Sequence, residues 1–151
     1  MPADHTHIPQ NDAERERMRK LIAALNDAEL RKPMPADWTV AAVLAHIGFW
    51  DARAIVLLDK WGGGIDPSGG DFEPEDTDWI NDAGKPLCLA LPPRDAADLA
   101  LRLANEADRK IAALSDEMLA KIIAAGTPFN LSRANHRKEH LDDIDRALSG
   151  R

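Results

Sequence analysis

The chain has 151 residues, a net charge of −7, 44% hydrophobic and 30% charged residues, and a single cysteine. That size and balance suit one domain able to bury its own core, while the acidic surplus speaks against nucleic acid, whose phosphates call for a basic face. No apolar run approaches the roughly 20 residues that span a bilayer and no segment resembles a leader, so no membrane partner is expected; with Cys88 alone no intrachain disulfide forms, and the cytoplasm is the expected compartment.

Residues 1–10, with His5 and His7, read as a flexible polar arm ahead of one domain over 11–151. Asn11 and Glu14 have the spacing of a capping box, and Met18, Leu21, Ile22 and Leu25 form one stripe of a first helix over about 12–26. Pro33 and Pro35 interrupt the chain. Thr39 is a good N-cap, with Trp38 and Val43 at the hydrophobic staple positions on either side of it. A second helix then runs to about Trp61, with Val43, Ile47, Trp50, Ala54 and Leu58 inward, and Gly62-Gly63-Gly64 ends it. Residues 62–92, rich in Gly, Pro and Asp apart from an apolar patch around Trp79-Ile80, read as a long ordered connection with one helical turn and not as a domain boundary. Pro92-Pro93 suits the start of a third helix with the stripe Ala96, Leu99, Leu103, Ala107, Ile111 and Leu114. Asp116 to Ala125 reads as a short extra helix closed by Gly126-Thr127-Pro128, and a fourth long helix over about 131–148 turns Leu141, Ile144 and Leu148 inward.

Four amphipathic helices predict an all-α four-helix bundle. Short links join helices 1 and 2, and helices 3 and 4, so each pair runs antiparallel. The connection between helices 2 and 3 is long enough to return along the bundle, which gives an up-down-down-up order.

His136 and His140 stand four residues apart, so both imidazoles leave one face, about 6 Å apart along the axis. Such a pair can reach one divalent ion at about 2.0–2.1 Å. His46 is the best third ligand. It lies about 10 Å from the start of helix 2, and His140 about 12 Å from the end of helix 4, so level ends put all three imidazoles at one height. The plainer alternatives are a hydrogen-bonded core histidine at 46 and a chance pair at 136 and 140. The spacing His136-Arg137-Lys138-Glu139-His140 also matches the H-x-x-E-H of inverzincin peptidases, but only eleven residues remain after His140 for their downstream acidic ligand.

The run Trp38-Thr39-Val40 through Leu44-Ala45-His46-Ile47-Gly48-Phe49-Trp50, with Asn130 to Ile144 downstream, resembles the DinB/YfiT-like superfamily. That group includes the N-terminal domain of mycothiol-dependent maleylpyruvate isomerase and related thiol S-transferases. The resemblance spans Asn11 to Leu148, although its specific part is small: one histidine in a W-T/S-x-x-x-x-L-x-H-x-x-x-W pattern and one H-x-x-x-H. It implies an up-down-down-up bundle with a divalent metal on His46, His136 and His140.

Three neutral ligands leave open positions on nickel, zinc, iron or manganese, where a thiol or water loses its proton near neutral pH. Asp143, on the same side of the helix as the histidines, is placed to orient an imidazole. Arg133 is placed to fork onto a substrate carboxylate, whereas Arg137 reads as a surface charge. Trp50 is a candidate wall of the pocket, Asn81 can reach it from the long connection, and Cys88 in an apolar stretch reads as a small hydrophobe. The expected function is a metal-dependent thiol S-transferase or thiol-dependent isomerase acting on a small electrophile, with mycothiol, bacillithiol or glutathione as thiol. The alternatives are a non-catalytic metal-binding, stress-associated bundle and a metal-dependent hydrolase; a homodimer is compatible with any of them.

Overall fold

The computed structural model describes residues 3–68, 77–125 and 131–149. Among these the chain is mostly helical, with seven helices and one two-stranded ribbon, so the all-α class holds. Helix α1 spans His7–Ala24 and starts ahead of the expected residue 12. Asn11 is therefore not a cap at its own position: it is buried inside α1. The Asn-x-x-Glu spacing recurs at Asn26 and Glu29, and there it is a true capping box. Glu29 N–H donates to Asn26 Oδ1 at 2.8 Å and Asn26 N–H to Glu29 Oε1 at 3.1 Å, opening the one-turn helix α2, Asp27–Leu30.

Strands β1 (Pro33–Met34) and β2 (Trp38–Thr39) pair antiparallel, Met34 facing Trp38. The turn between them holds Ala36 and Asp37 at φ 58° and 63°, a left-handed conformation that costs non-glycine residues of order 1 kcal/mol or more. Lys85 donates to the Ala36 carbonyl and pins this tip.

Helix α3, Val40–Gly62, begins where Thr39 Oγ1 accepts from Ala42 N–H at 3.1 Å, as the cap reading expects. Every residue from Val40 to Gly48 is buried, so this helix is surrounded rather than one-sided. It is long and apolar enough to cross a membrane by length and composition, contrary to the reading of no such run, but 72% of its apolar window is buried inside the protein.

Helix α4, Asp78–Ala90, corrects the reading of 62–92 as an ordered connection with one helical turn. Gly84 and Pro86 read as breakers, yet both lie within it, and it contributes no fully buried residue. Helix α5, Pro93–Ala112, packs most extensively on α3. Its buried face is Ala96, Ala97, Ala100, Ala104 and Ala107, while the leucines of the expected stripe (Leu99, Leu103, Leu114) are only partly buried. Small residues let the two backbones approach closely: a Cβ on Gly48 would stand 3.3 Å from Ala100 Cα.

Helix α6, Asp116–Ala124, is capped by Ser115, whose Oγ accepts from Met118 N–H at 3.1 Å. The expected closure at Gly126-Thr127-Pro128 lies outside the described residues. Helix α7, Ala134–Ser149, buries Leu141, Ile144 and Leu148 as its stripe requires. The main core joins α1, α3, α5 and α7; a second cluster of Ala54, Leu58, Trp61, Ile111 and Ile122 gathers under α6.

Candidate metal centre

Helix α7 lies against α3 through a buried ionic cluster. Asp51 Oδ1 accepts from Arg133 Nε at 3.0 Å and its Oδ2 from Arg137 Nη2 at 3.1 Å. Asp108 of α5 takes both terminal nitrogens of Arg137 at 2.8 Å and also accepts from Arg15 of α1 at 2.6 Å. Asn11 completes the contact from α1. Its Oδ1 accepts from Ala134 N–H at 2.9 Å, capping α7 from a neighbouring helix, and its Nδ2 donates to the Leu131 carbonyl at 2.9 Å. Arg137, read from sequence as a surface charge, is 0% exposed. Burial alone would depress its guanidinium, but the hydrogen bonds and charges of Asp108 and Asp51 outweigh that and hold it above its ordinary range. Asp51 carried the signal for this cluster, being the only acid between Val40 and Leu58 in a mostly apolar helix.

With α7 so fixed, the three histidines meet. His136 Nε2 stands 3.3 Å from His46 Nε2 and 3.1 Å from His140 Nε2, and one ligand nitrogen from each residue lies within 4.8 Å of the others. Two nitrogens at about 2.0–2.1 Å from one ion stand roughly 2.9 Å apart at a right angle and roughly 3.3 Å apart at the tetrahedral angle. The two separations at His136 fall in that interval. Hydrogen bonding alone satisfies the arrangement poorly, because His136 Nε2 carries at most one proton between two neighbouring lone pairs. A cation satisfies all three, so the donor set fits a divalent metal.

Electrostatics point the same way. Burial, helped by the neighbouring His140, pushes His46 down to about 4. Burial and then the charges of His140, His46, Arg133 and Arg137 push His136 down to about 2. His140 is lowered by burial, against the opposing pull of Glu139 and Asp143. All three are neutral at pH 7, the form a metal requires.

Trp38 lies edge-on to His46 with ring centres 5.7 Å apart, a contact that its staple position and its place in the motif do not by themselves predict. Trp50 lies 6.5 Å from His136 and its Nε1 donates to Asn81 Oδ1 at 2.9 Å, so α4 reaches the site through Asn81. Two cavities border the cluster. One of about 740 Å³ runs between the ribbon, α4 and the end of α7; a second of about 360 Å³ is lined by Trp50, Asn81, Arg133 and Glu139. His46, His140, Asp78 and Asn81 border both.

Not every expected neighbour stands at an imidazole. Asp143 Oδ2 reaches only 4.0 Å from His140 Nδ1 and pairs with Arg146 instead. His136 Nδ1 is buried with no hydrogen-bond partner among the described residues. Cys88 is half-buried against the main core and its thiol is pushed up by burial, as a packing residue would be. His7, expected in the arm, is the buried first residue of α1, and His5 pairs with Asp116 at 3.1 Å.

A mostly helical protein whose α3 and α7 bring three neutral histidines together can hold a metal ion there. The family model of the DinB superfamily matches residues 10–137, and the chain belongs to that superfamily. The matched stretch contains His46 and His136 and ends three residues before His140. No curated protein and no solved structure matches the chain.

Proposed function

We propose that this protein is a divalent-metal enzyme in which His46, His136 and His140 hold the ion and a low-molecular-weight thiol is transferred to, or isomerises, a small electrophile. The observation that carries the reading is the approach of three neutral imidazole nitrogens to one another beside two cavities. A zinc, nickel, iron or manganese ion bound there supplies Lewis acidity that brings a thiol or water toward ionisation at neutral pH. Open positions beyond three protein ligands mark a catalytic rather than a structural centre.

The chain's own residues do the rest. Trp38 and Trp50 flank the imidazoles and lower the polarity around them, which strengthens electrostatic interactions there. Arg133 lines the smaller cavity while its Nε holds Asp51, and adds positive potential that favours an anion. In the transfer the sulfur supplies the electron pair of the new C–S bond and the thiol proton passes to water. The leaving group, or the oxygen of a conjugated carbonyl, takes up the displaced pair.

The same reading includes the up-down-down-up bundle. Gly48 beside Ala100 and Asp59 beside Lys110 favour parallel α3 and α5. Arg94 on Ile22 and Leu25, with Arg15 on Asp108, favours antiparallel α1 and α5. Asp51 with Arg133, and His46 with His140, favour antiparallel α3 and α7.

The test is conjugation of a small electrophile with mycothiol, bacillithiol or glutathione, abolished by chelation and restored by metal. In cobalt-substituted protein the active thiol should give a sulfur-to-cobalt charge-transfer band. If no thiol gives either signal, a non-catalytic metal bundle or a hydrolase replaces this reading.

A further inference from the structure

Two residues of α4, one turn apart, reach the two tryptophans that flank the imidazoles. Lys85 stands over the ring of Trp38 at 5.6 Å while it donates to the Ala36 carbonyl, and Asn81 Oδ1 accepts from Trp50 Nε1 at 2.9 Å. Helix α4 buries no residue fully, so these contacts help seat it over the site. The Trp50 contact also fixes which way the Asn81 amide faces. An indole N–H can only donate, so it takes the amide oxygen and turns Nδ2, with its two hydrogens, away. Among the described residues nothing accepts from Nδ2, and it is not enclosed, so it opens onto the space that Asn81 borders. Asn81 borders both cavities together with His46 and His140, and the smaller cavity takes in His136 as well. A ligand that fills this space of about 360 Å³ from an ion on the three imidazoles therefore meets the Asn81 amide.

We propose that Asn81 is a specificity-determining residue of the metal centre. Its Nδ2 donates to a second acceptor atom of the ligand. The site thereby selects ligands whose metal-bound atom is joined to an acceptor oxygen, as in a carboxylate or a carbonyl compound, over ligands that offer one atom alone. Trp50 acts through Asn81, as a positioning residue that keeps the donor rather than the acceptor toward the ligand. The inference rests on an ion held by His46, His136 and His140 and not on thiol transfer. The ion attracts any anion; the amide, being neutral, discriminates by where the ligand carries an acceptor.

Full-length cobalt-substituted protein, titrated with acetate and separately with bromide and followed by the visible cobalt spectrum, tests this. Both probes are monoanions, so the ion and the charges around it act on both, while only acetate brings a second oxygen. Asn81→Leu, at a partly exposed position, should weaken acetate about tenfold relative to bromide. Trp50→Phe keeps Asn81 but releases its amide, and should weaken acetate about threefold relative to bromide. A merely structural loss would weaken both anions together. An acetate-to-bromide ratio that either variant leaves unchanged, or a cobalt protein that binds no acetate, overturns the inference. A chain that takes up no cobalt at the histidines removes the centre and the inference with it. Neither anion is a thiol, so the two proposals fail separately. Thiol transfer with an unchanged ratio sinks only this inference, and the expected ratios without thiol transfer sink only the enzymatic reading.

Discussion

Asp51, five residues after His46 on α3, binds Arg137, the residue after His136 on α7, at 3.1 Å. The contact sets the register of the two helices that carry the histidines, and it is fully buried on both sides. Removing one partner of a buried pair leaves the other charge under-compensated, at about 3 kcal/mol or more. Asp51→Asn should therefore lower the unfolding free energy measured in urea by that order and reduce metal content. Asp142→Asn, which takes Arg17 and Lys138 at the partly exposed edge of α7, should cost under about 1 kcal/mol. Equal losses in the two variants would show that the buried cluster does not set the register.

His136 touches both other imidazoles, so His136→Ala should abolish stoichiometric metal measured by mass spectrometry. Asp143 stands 4.0 Å from His140 and already pairs with Arg146, so Asp143→Asn should leave metal content near that of the parent chain. Unchanged metal in the first variant would remove the histidine centre.

The long amphipathic helices were legible because their stripes repeat where one face is buried: Met18 and Ile22 on α1 with Leu25 at its C-cap, and Leu141, Ile144 and Leu148 on α7, all lie in the core. The histidines followed from the same periodicity. What escaped was tertiary. Asn11 and Asn26 share one local pattern, and only the neighbouring helix decides that the first caps α7 while the second caps α2. Alanines displaced leucines on the buried face of α5 because α3 approaches closely at Gly48. Arg137 looked exposed because its partners Asp51 and Asp108 lie 86 and 29 residues away. Helix α4 was hidden by Gly84 and Pro86, and Asn81 comes to the site from it.

Metal removal should leave the helices intact. Met18, Leu30, Leu44, Ile47, Leu141 and Ile144 are all 0% exposed and none depends on the ion. Chelated protein should keep its far-ultraviolet circular dichroism. It should melt at lower temperature, because an ion present at a hundred times its Kd stabilises the folded state by about 2.7 kcal/mol. Loss of most helical signal would mean that the centre is structural, as in domains that fold only on their metal.

Acid should destabilise the metal-free protein through the same imidazoles. An unfolded histidine takes its proton near pH 6.5, whereas burial holds His46 at about 4 and His136 at about 2 in the fold. Below 6.5 the unfolded chain binds protons that the folded chain refuses, so stability falls as pH falls and His46 contributes nothing further below about 4. Above 6.5 both states are neutral and these groups add no pH dependence. At pH 5.5, still above the carboxylate range, the expected loss is about 1 kcal/mol for each of the two histidines relative to pH 7.5. Urea unfolding of the metal-free chain and of a His46→Gln/His136→Gln variant at both pH values isolates it. The parent should lose about 2 kcal/mol more than the variant between pH 7.5 and 5.5, and parallel behaviour would mean that the imidazoles are not held neutral by burial.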